Sequence, residues 1–273
     1  MKTPPSPIFA GPRLVVLHIP KTAGTTFRYI LRREFSPGQV FEAYSEPGFQ
    51  PISGFGALDP DRREAIRVVM GHFSFAEVAQ IFSGAQHVAF IRTPVARILS
   101  LYNHLVTLNQ SWKQRSLSLE AFLTAERVIE TDNDQTRRIA GVNPPFGACT
   151  PATLDAAIEN IEKSFAVVGL SERFDESLMV TKEILGFSQE PVYARENVSR
   201  HAIGIGDIDE ALVQLIRQRN QLDIKLYQFA QKRLDEQIRR LGPGFSQRVQ
   251  RFREANQQTH LRAAVVWKSA DDT

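Results

Sequence analysis

Leu14-Val-Val-Leu-His-Ile-Pro-Lys-Thr-Ala-Gly-Thr-Thr-Phe27 decides how the chain is read. An apolar run ends at Pro20, and a lysine, small residues and hydroxyls follow at the start of a helix-like segment. Such a junction builds a cradle for a phosphate-like group. The first N–H groups of a helix have no partner within it, the helix dipole adds partial positive charge, and Lys21 adds a full one. Gly24 lets the backbone come close to an anion, while Thr25 and Thr26 offer hydroxyl donors.

The order of residues separates this cradle from a Walker A loop, in which lysine follows the second glycine. Here Lys21 precedes Gly24, and no glycine stands four or five positions before the lysine. An ordinary ATP or GTP hydrolase is therefore disfavoured. His18-Ile-Pro-Lys-Thr-Ala-Gly-Thr-Thr26 resembles the 5′-phosphosulfate loop of sulfotransferases, in the branch that includes the heparan-sulfate 2-O- and 6-O-enzymes. The resemblance implies that Lys21, Thr22, Ala23, Gly24, Thr25 and Thr26 bind the 5′ side of 3′-phosphoadenosine 5′-phosphosulfate (PAPS).

A second stretch, Val88-Ala-Phe-Ile-Arg-Thr-Pro-Val-Ala-Arg-Ile-Leu-Ser-Leu-Tyr102, reads as a buried strand turning into a helix with Pro94 in its first turn. Arg92 stands at the strand end, and Ser100 lies about two helical turns on. The pattern looks like the 3′-phosphate motif of sulfotransferases, which implies that Arg92 and Ser100 hold the 3′-phosphate of PAPS. Between the two motifs, Val68-Val-Met-Gly-His-Phe-Ser-Phe75 places His72 just beyond another apolar run. Three strand ends thus deliver Lys21, His72 and Arg92 to one rim, where ligands gather in an open α/β sheet. Histidine suits removal of a proton from an acceptor hydroxyl near neutral pH. The Gly-His-Phe-Ser-Phe stretch is similar to the segment bearing the catalytic histidine of the heparan-sulfate enzymes, so His72 is the expected base and Lys21 the expected charge stabiliser. His18 is read as a packing residue and His104 as structural.

The 273 residues are 42% hydrophobic, enough to bury one large core. Alternating strand and helix signals predict strands over 14–19, 66–70, 88–91 and 166–170. Helices are predicted over 25–33, 75–82, 95–108 and 151–163. With the resemblance, this gives an α/β, P-loop-like three-layer fold: a central parallel sheet flanked by helices, with a helical C-terminal extension. The expected parts are a proline-rich tail over 1–12, the α/β domain over 13–205, and helices over 206–273 packed on the same domain. The stretch 208–241 reads as one long helix or two packed ones. The segment 34–60 shows no clean period and reads as a surface connection, with a mobile lid over the acceptor site as the alternative.

Thr131-Asp-Asn-Asp-Gln-Thr-Arg-Arg-Ile-Ala-Gly141 carries N-cap residues and a terminal glycine, which predict a short helix. It also looks like an acceptor-side segment of uronosyl-type glycan sulfotransferases, which implies that Asn133, Gln135, Thr136 and Arg137 contact the acceptor. A carbohydrate is the acceptor expected. Tyr193-Ala-Arg-Glu-Asn-Val-Ser199 lies where such enzymes place a late loop near the nucleotide.

Net charge is +3 and the pI about 9.1, in keeping with anionic ligands. Arginine pairs at 32–33, 62–63, 137–138 and 239–240 are candidates for a polyanionic acceptor. No nucleic-acid motif and no metal-ligand spacing is visible, so neither partner is expected. Cys149, the single cysteine, excludes an internal disulfide framework and reads as a structural thiol. No run approaches the ~20 apolar residues of a membrane span. Golgi members of the resembled family carry an N-terminal anchor; without one here, a soluble cytoplasmic, bacterial enzyme is expected. Oligomeric state stays open. The rival readings are a kinase-like phosphotransferase, which requires ATP and magnesium, and a glycan- or nucleotide-binding protein without transfer.

Overall fold

Leu14–Leu17 and Val68–Gly71 are buried along their whole length, as strands must be when helices cover both faces of a parallel sheet. A computed structural model describes residues 12–44, 48–82, 84–108, 118–125, 128–193 and 203–271. The elements run β1 (Leu14–Leu17), α1 (Gly24–Glu34), β2 (Val40–Ala43), α2 (Pro60–Ala65), β3 (Val68–Gly71), α3 (Phe75–Val78), β4 (Gln86–Ile91) and α4 (Pro94–Leu108). They continue as α5 (Leu119–Thr124), α6 (Asp134–Ala140), α7 (Pro151–Ser164), β5 (Phe165–Leu170), α8 (Phe174–Leu185), α9 (Glu210–Arg219), α10 (Gln221–Arg240) and α11 (Phe245–Asp271). The 1–12 tail, except Pro12, and positions 194–199 of the late loop lie outside the described residues.

The five strands are all parallel, in the order β2-β3-β1-β4-β5. After β1 the chain moves to one edge, and after β4 it moves to the other. The crevice beyond the carboxyl ends of β1 and β4 is therefore the point where the winding reverses.

The segment 34–60 departs from its reading as a surface connection, because it contains β2. As an edge strand, β2 alternates half-buried Val40 and Glu42 with buried Phe41 and Ala43. Its last residue pairs with Gly71, where the Ala43 carbonyl occupies the space a β-carbon would need. The neighbouring helix α2 starts at Pro60 behind Asp59, whose carboxylate accepts from the Arg62 N–H at 2.8 Å.

The 208–241 stretch forms two helices that meet at Asn220. That side chain is buried, donates to the carbonyls of Thr131 (3.0 Å) and Ile216 (2.9 Å), and accepts from the Asn133 N–H (3.1 Å). Leu226, Ala230 and Leu234 of α10 and Phe245, Val249 and Phe252 of α11 join the core around the sheet. Arg233 and Gln237 donate to the carbonyls of Phe165 and Ala166 at 2.7 and 2.6 Å, fastening α10 to the start of β5. A second apolar cluster joins Ile98 and Leu99 of α4 to Phe122 of α5 and Ile216 of α9. Among the described residues, no helix is long and apolar enough to cross a membrane.

Candidate active site

The turn between β1 and α1 has two non-glycine residues in the left-handed region, Lys21 (φ 70°) and Ala23 (φ 67°). Such residues are uncommon, and alternating them with Thr22 turns successive N–H groups toward one concavity, the geometry of an anion nest. No side chain caps α1, and its first turn holds no acidic residue, so the unpaired N–H groups at Gly24 to Thr26 keep their positive field. The Thr22 side chain is buried and donates to the Ile19 carbonyl at 2.8 Å. Its hydroxyl therefore shapes the loop, leaving only its N–H for a ligand. Burial, reinforced by Arg92, pulls the Lys21 ammonium below the usual lysine range.

Arg92 leaves β4 beside this turn, and its Nη1 donates to the Lys21 carbonyl at 3.3 Å. Glu172 caps the start of α4, accepting from the Thr93 N–H (3.0 Å) and hydroxyl (2.8 Å). Ser100 lies half-buried in the second turn of α4, with His104 exposed one turn later. The two sequence motifs thus come from adjoining strands, and Lys21 and Arg92 touch.

His72 follows β3, and its N–H donates to the Ala43 carbonyl at 3.0 Å. Its ring stands edge-on to His18 (centroids 4.6 Å apart) and Tyr44 (4.8 Å). Burial lowers the His72 pKa to about 4, with Arg138, Arg28 and His104 adding to the effect and Asp134 opposing it. The imidazole is therefore unprotonated at neutral pH. The pKa of His18 falls further, to about 3, through burial and the nearby His72 and Arg28. Its Nδ1 is 2.9 Å from the Tyr44 hydroxyl, and its ring fills the place where a β-carbon on Gly24 would stand. Packing by the neighbouring imidazole is thus sufficient to demand glycine at position 24.

Residues 3–265 match the family model described as Galactose-3-O-sulfotransferase. The chain belongs to the galactose-3-O-sulfotransferase family. It is 29% identical over 245 residues to Galactose-3-O-sulfotransferase 3 of Bos taurus, covering 82% of this chain and 57% of that protein. With the Homo sapiens protein of the same name it shares 27% over 276 residues, covering 93% and 63%. The chain therefore spans about three-fifths of the length of these curated relatives. A crystal structure of a sulfotransferase from Alicyclobacillus acidocaldarius overlays with a TM-score of 0.44 and 16% identity, covering 80% of this chain and 94% of that one. The galactose-3-O-sulfotransferase family is what the chain matches along its length; the likeness to the heparan-sulfate enzymes rests on the motifs alone.

In this galactose-3-O-sulfotransferase family member, the expected acceptor contacts on α6 need correction. Asn133, Gln135, Thr136 and Arg137 are all buried. Asn133 accepts from the Leu222 N–H (2.9 Å), and Thr136 donates to Asp223 through its N–H (2.8 Å) and hydroxyl (2.7 Å). Arg137 is bound to Asp132 and to the Asp132 carbonyl (2.7 Å). Gln135 holds the main chain of Arg92. These groups brace the rim from behind. The arginine pairs at 32–33 and 137–138 are also engaged: Arg32 forks onto Glu42 (2.7 and 2.6 Å), Arg33 donates to the Val192 carbonyl (2.7 Å), and Arg138 pairs with Asp134 (3.0 Å). Cys149 is half-buried, and burial pushes its thiol up to about 11, in keeping with a structural role.

Sequence reasoning missed a cluster beside His72. The Arg28 guanidinium stands over the rings of Tyr44 and Phe49 at 5.1 and 5.2 Å. With Pro51, Ile52, Phe73 and Glu77, Tyr44 and Phe49 line a cleft of about 320 Å³ that His72 also borders. The available signal was Arg28 itself, one helical turn after Gly24 on the first face of α1.

Proposed function

We propose that the chain moves a sulfuryl group from PAPS to a hydroxyl of a galactose-type carbohydrate, with His72 as the base. The observation that carries this reading is the meeting of Lys21 and Arg92 across the β1–β4 crevice, with an unprotonated imidazole at the adjoining strand end. Membership of the galactose-3-O-sulfotransferase family supports the choice of acceptor.

The residues present fit the donor. The nest, the uncapped helix start and Lys21 suit its 5′-phosphosulfate, and Arg92 with Ser100 suits its 3′-phosphate, a group that ATP lacks. When bound, PAPS supplies a sulfuryl group on a phosphate that leaves as the acceptor oxygen attacks. His72 takes the acceptor's hydroxyl proton on an unprotonated ring nitrogen. The Lys21 ammonium and the N–H groups of the nest stabilise negative charge that grows on the oxygens around the transfer.

Calorimetric titration with adenosine 3′,5′-bisphosphate tests the donor site. Tight binding of the bisphosphate, weak binding of ATP–magnesium, and loss of bisphosphate binding in Arg92→Ala are expected. Failure of the bisphosphate to bind overturns the sulfotransferase reading, and preference for ATP–magnesium favours a phosphotransferase instead.

A further inference from the structure

The two ring nitrogens of His18 are treated differently by the fold. Nδ1 lies 2.9 Å from the Tyr44 hydroxyl, whereas Nε2 has no hydrogen bond among the described residues. The side chain is only 8% exposed, so an orphan nitrogen here forgoes most of its hydration. Nε2 also stands 2.1 Å from the point that a β-carbon on Gly24 would occupy. Gly24 opens α1, which has no side-chain cap. The orphan nitrogen therefore borders the first free N–H groups of that helix.

The tautomer decides whether Nε2 attracts or repels an anion. Burial, with His72, Arg28, Arg138 and Lys21 adding to it, lowers the His18 pKa to about 3, so the ring carries one proton. Burial likewise raises the Tyr44 pKa and keeps its hydroxyl protonated. The Arg28 guanidinium lies over the Tyr44 ring at 5.1 Å, can only donate, and engages the hydroxyl oxygen. With that oxygen accepting from Arg28, the buried Tyr44 O–H is left to donate to His18 Nδ1. The His18 proton then resides on Nε2, beside the nest. With the proton on Nδ1 instead, the Tyr44 O–H would lose its acceptor, and Nε2 would turn a lone pair toward the anion.

We infer that His18 does more than pack: its Nε2–H donates to an oxygen at the 5′ end of the bound nucleotide, and Tyr44 is the positioning residue that fixes this tautomer. The inference deepens the sulfuryl-transfer reading and rests on it for the identity of the anion. His18 thereby joins the N–H groups of the nest as a neutral donor, while Lys21 supplies the charge.

The test reads NMR of the imidazole nitrogens in the full chain, beside calorimetry. The free chain should show His18 protonated on Nε2, and Tyr44→Phe should mix the two tautomers. Adenosine 3′,5′-bisphosphate, and inorganic sulfate as a smaller probe, should each shift the His18 Nε2 signal. His18→Leu should weaken bisphosphate binding about tenfold or more. Binding of adenosine 3′-monophosphate, which lacks the 5′ group, should change by less than about twofold in that variant, which also shows that it is folded. His18→Gln, whose amide can place a donor near Nε2, should keep bisphosphate affinity within about threefold. Protonation on Nδ1 in the free chain overturns the inference, as do equal losses for the two nucleotides in His18→Leu, which make the residue structural. Bisphosphate binding that leaves the Nε2 signal unmoved overturns the inference and leaves the donor reading standing. A signal moved by sulfate, with no bisphosphate binding, overturns the donor reading and leaves His18 in an anion site. A signal moved by neither probe overturns the inference.

Discussion

The side-chain amide of Gln135 closes on both main-chain groups of Arg92: its Oε1 accepts from the Arg92 N–H at 2.8 Å, and its Nε2 donates to the Arg92 carbonyl at 2.9 Å. A side chain thereby takes the place of a neighbouring strand at the point where β4 ends. Gln135 is itself held by Asp223, which lies 3.3 Å from both its N–H and its Nε2.

Gln135→Ala leaves two main-chain groups of Arg92 without their partner and frees the direction of the guanidinium. Affinity for adenosine 3′,5′-bisphosphate should fall about tenfold, and stability to urea by about 1–3 kcal/mol. Calorimetry and denaturation read the two effects separately. Unchanged affinity in the folded variant would show that Arg92 needs no such brace.

Lys21→Ala removes the full charge from a nest whose N–H groups remain. Turnover should drop by about 10²–10³, while bisphosphate affinity falls only a few-fold. Rapid-quench kinetics beside calorimetry distinguishes this from equal losses in both, which would make Lys21 a binding group alone.

On the proposal that His72 is the base, its lowered pKa should set the acid limb of the rate. A base works in its unprotonated form, and protonation of His72 is pushed from the usual 6.5 down to about 4, chiefly by burial. In kcat/KM against pH, activity due to this group should persist well below 6.5 and decline toward about 4. Arg138 opposes protonation of His72, so Arg138→Gln should move the limb to higher pH. A limb near 6.5 in the unmodified enzyme, unmoved by that substitution, would assign the base elsewhere.

Gly24→Ala forces a β-carbon into the His18 ring. Overpacking of this kind costs about 1–3 kcal/mol. Adding His18→Ala should return part of that loss, giving a coupling energy of at least about 0.5 kcal/mol in a double-mutant cycle followed by urea unfolding. Additive losses would mean that the glycine serves the bound anion and not the imidazole.

The central strands were legible because burial on both faces makes β1, β3 and the Val88–Ile91 part of β4 continuous apolar runs, and Lys21, His72 and Arg92 stand just past their ends. The edge strand β2 was not legible, since Glu42 interrupts it and its partner is remote in sequence. With β2 hidden, nothing local indicated that Tyr44 would arrive beside His72 through the Ala43–Gly71 pairing. The resemblance carried by residues 133–137 implied ligand contacts that the fold does not supply, for a related reason. A short motif displays donors and acceptors, but the groups that satisfy them, Asn220 and Asp223, belong to a distant helix boundary.

That distance has a consequence during synthesis. Asp223 follows Gln135 by 88 residues, so a chain growing at roughly 5–20 residues per second spends about 4–18 s with α6 made and its buried anchor still missing. Over that interval the β1–α1 turn already exists as sequence while the support behind Arg92 does not. Donor binding should therefore mature late on the ribosome, with the arrival of the C-terminal helices, and a nascent chain halted before Asp223 would carry the recognisable motifs without the competence to use them.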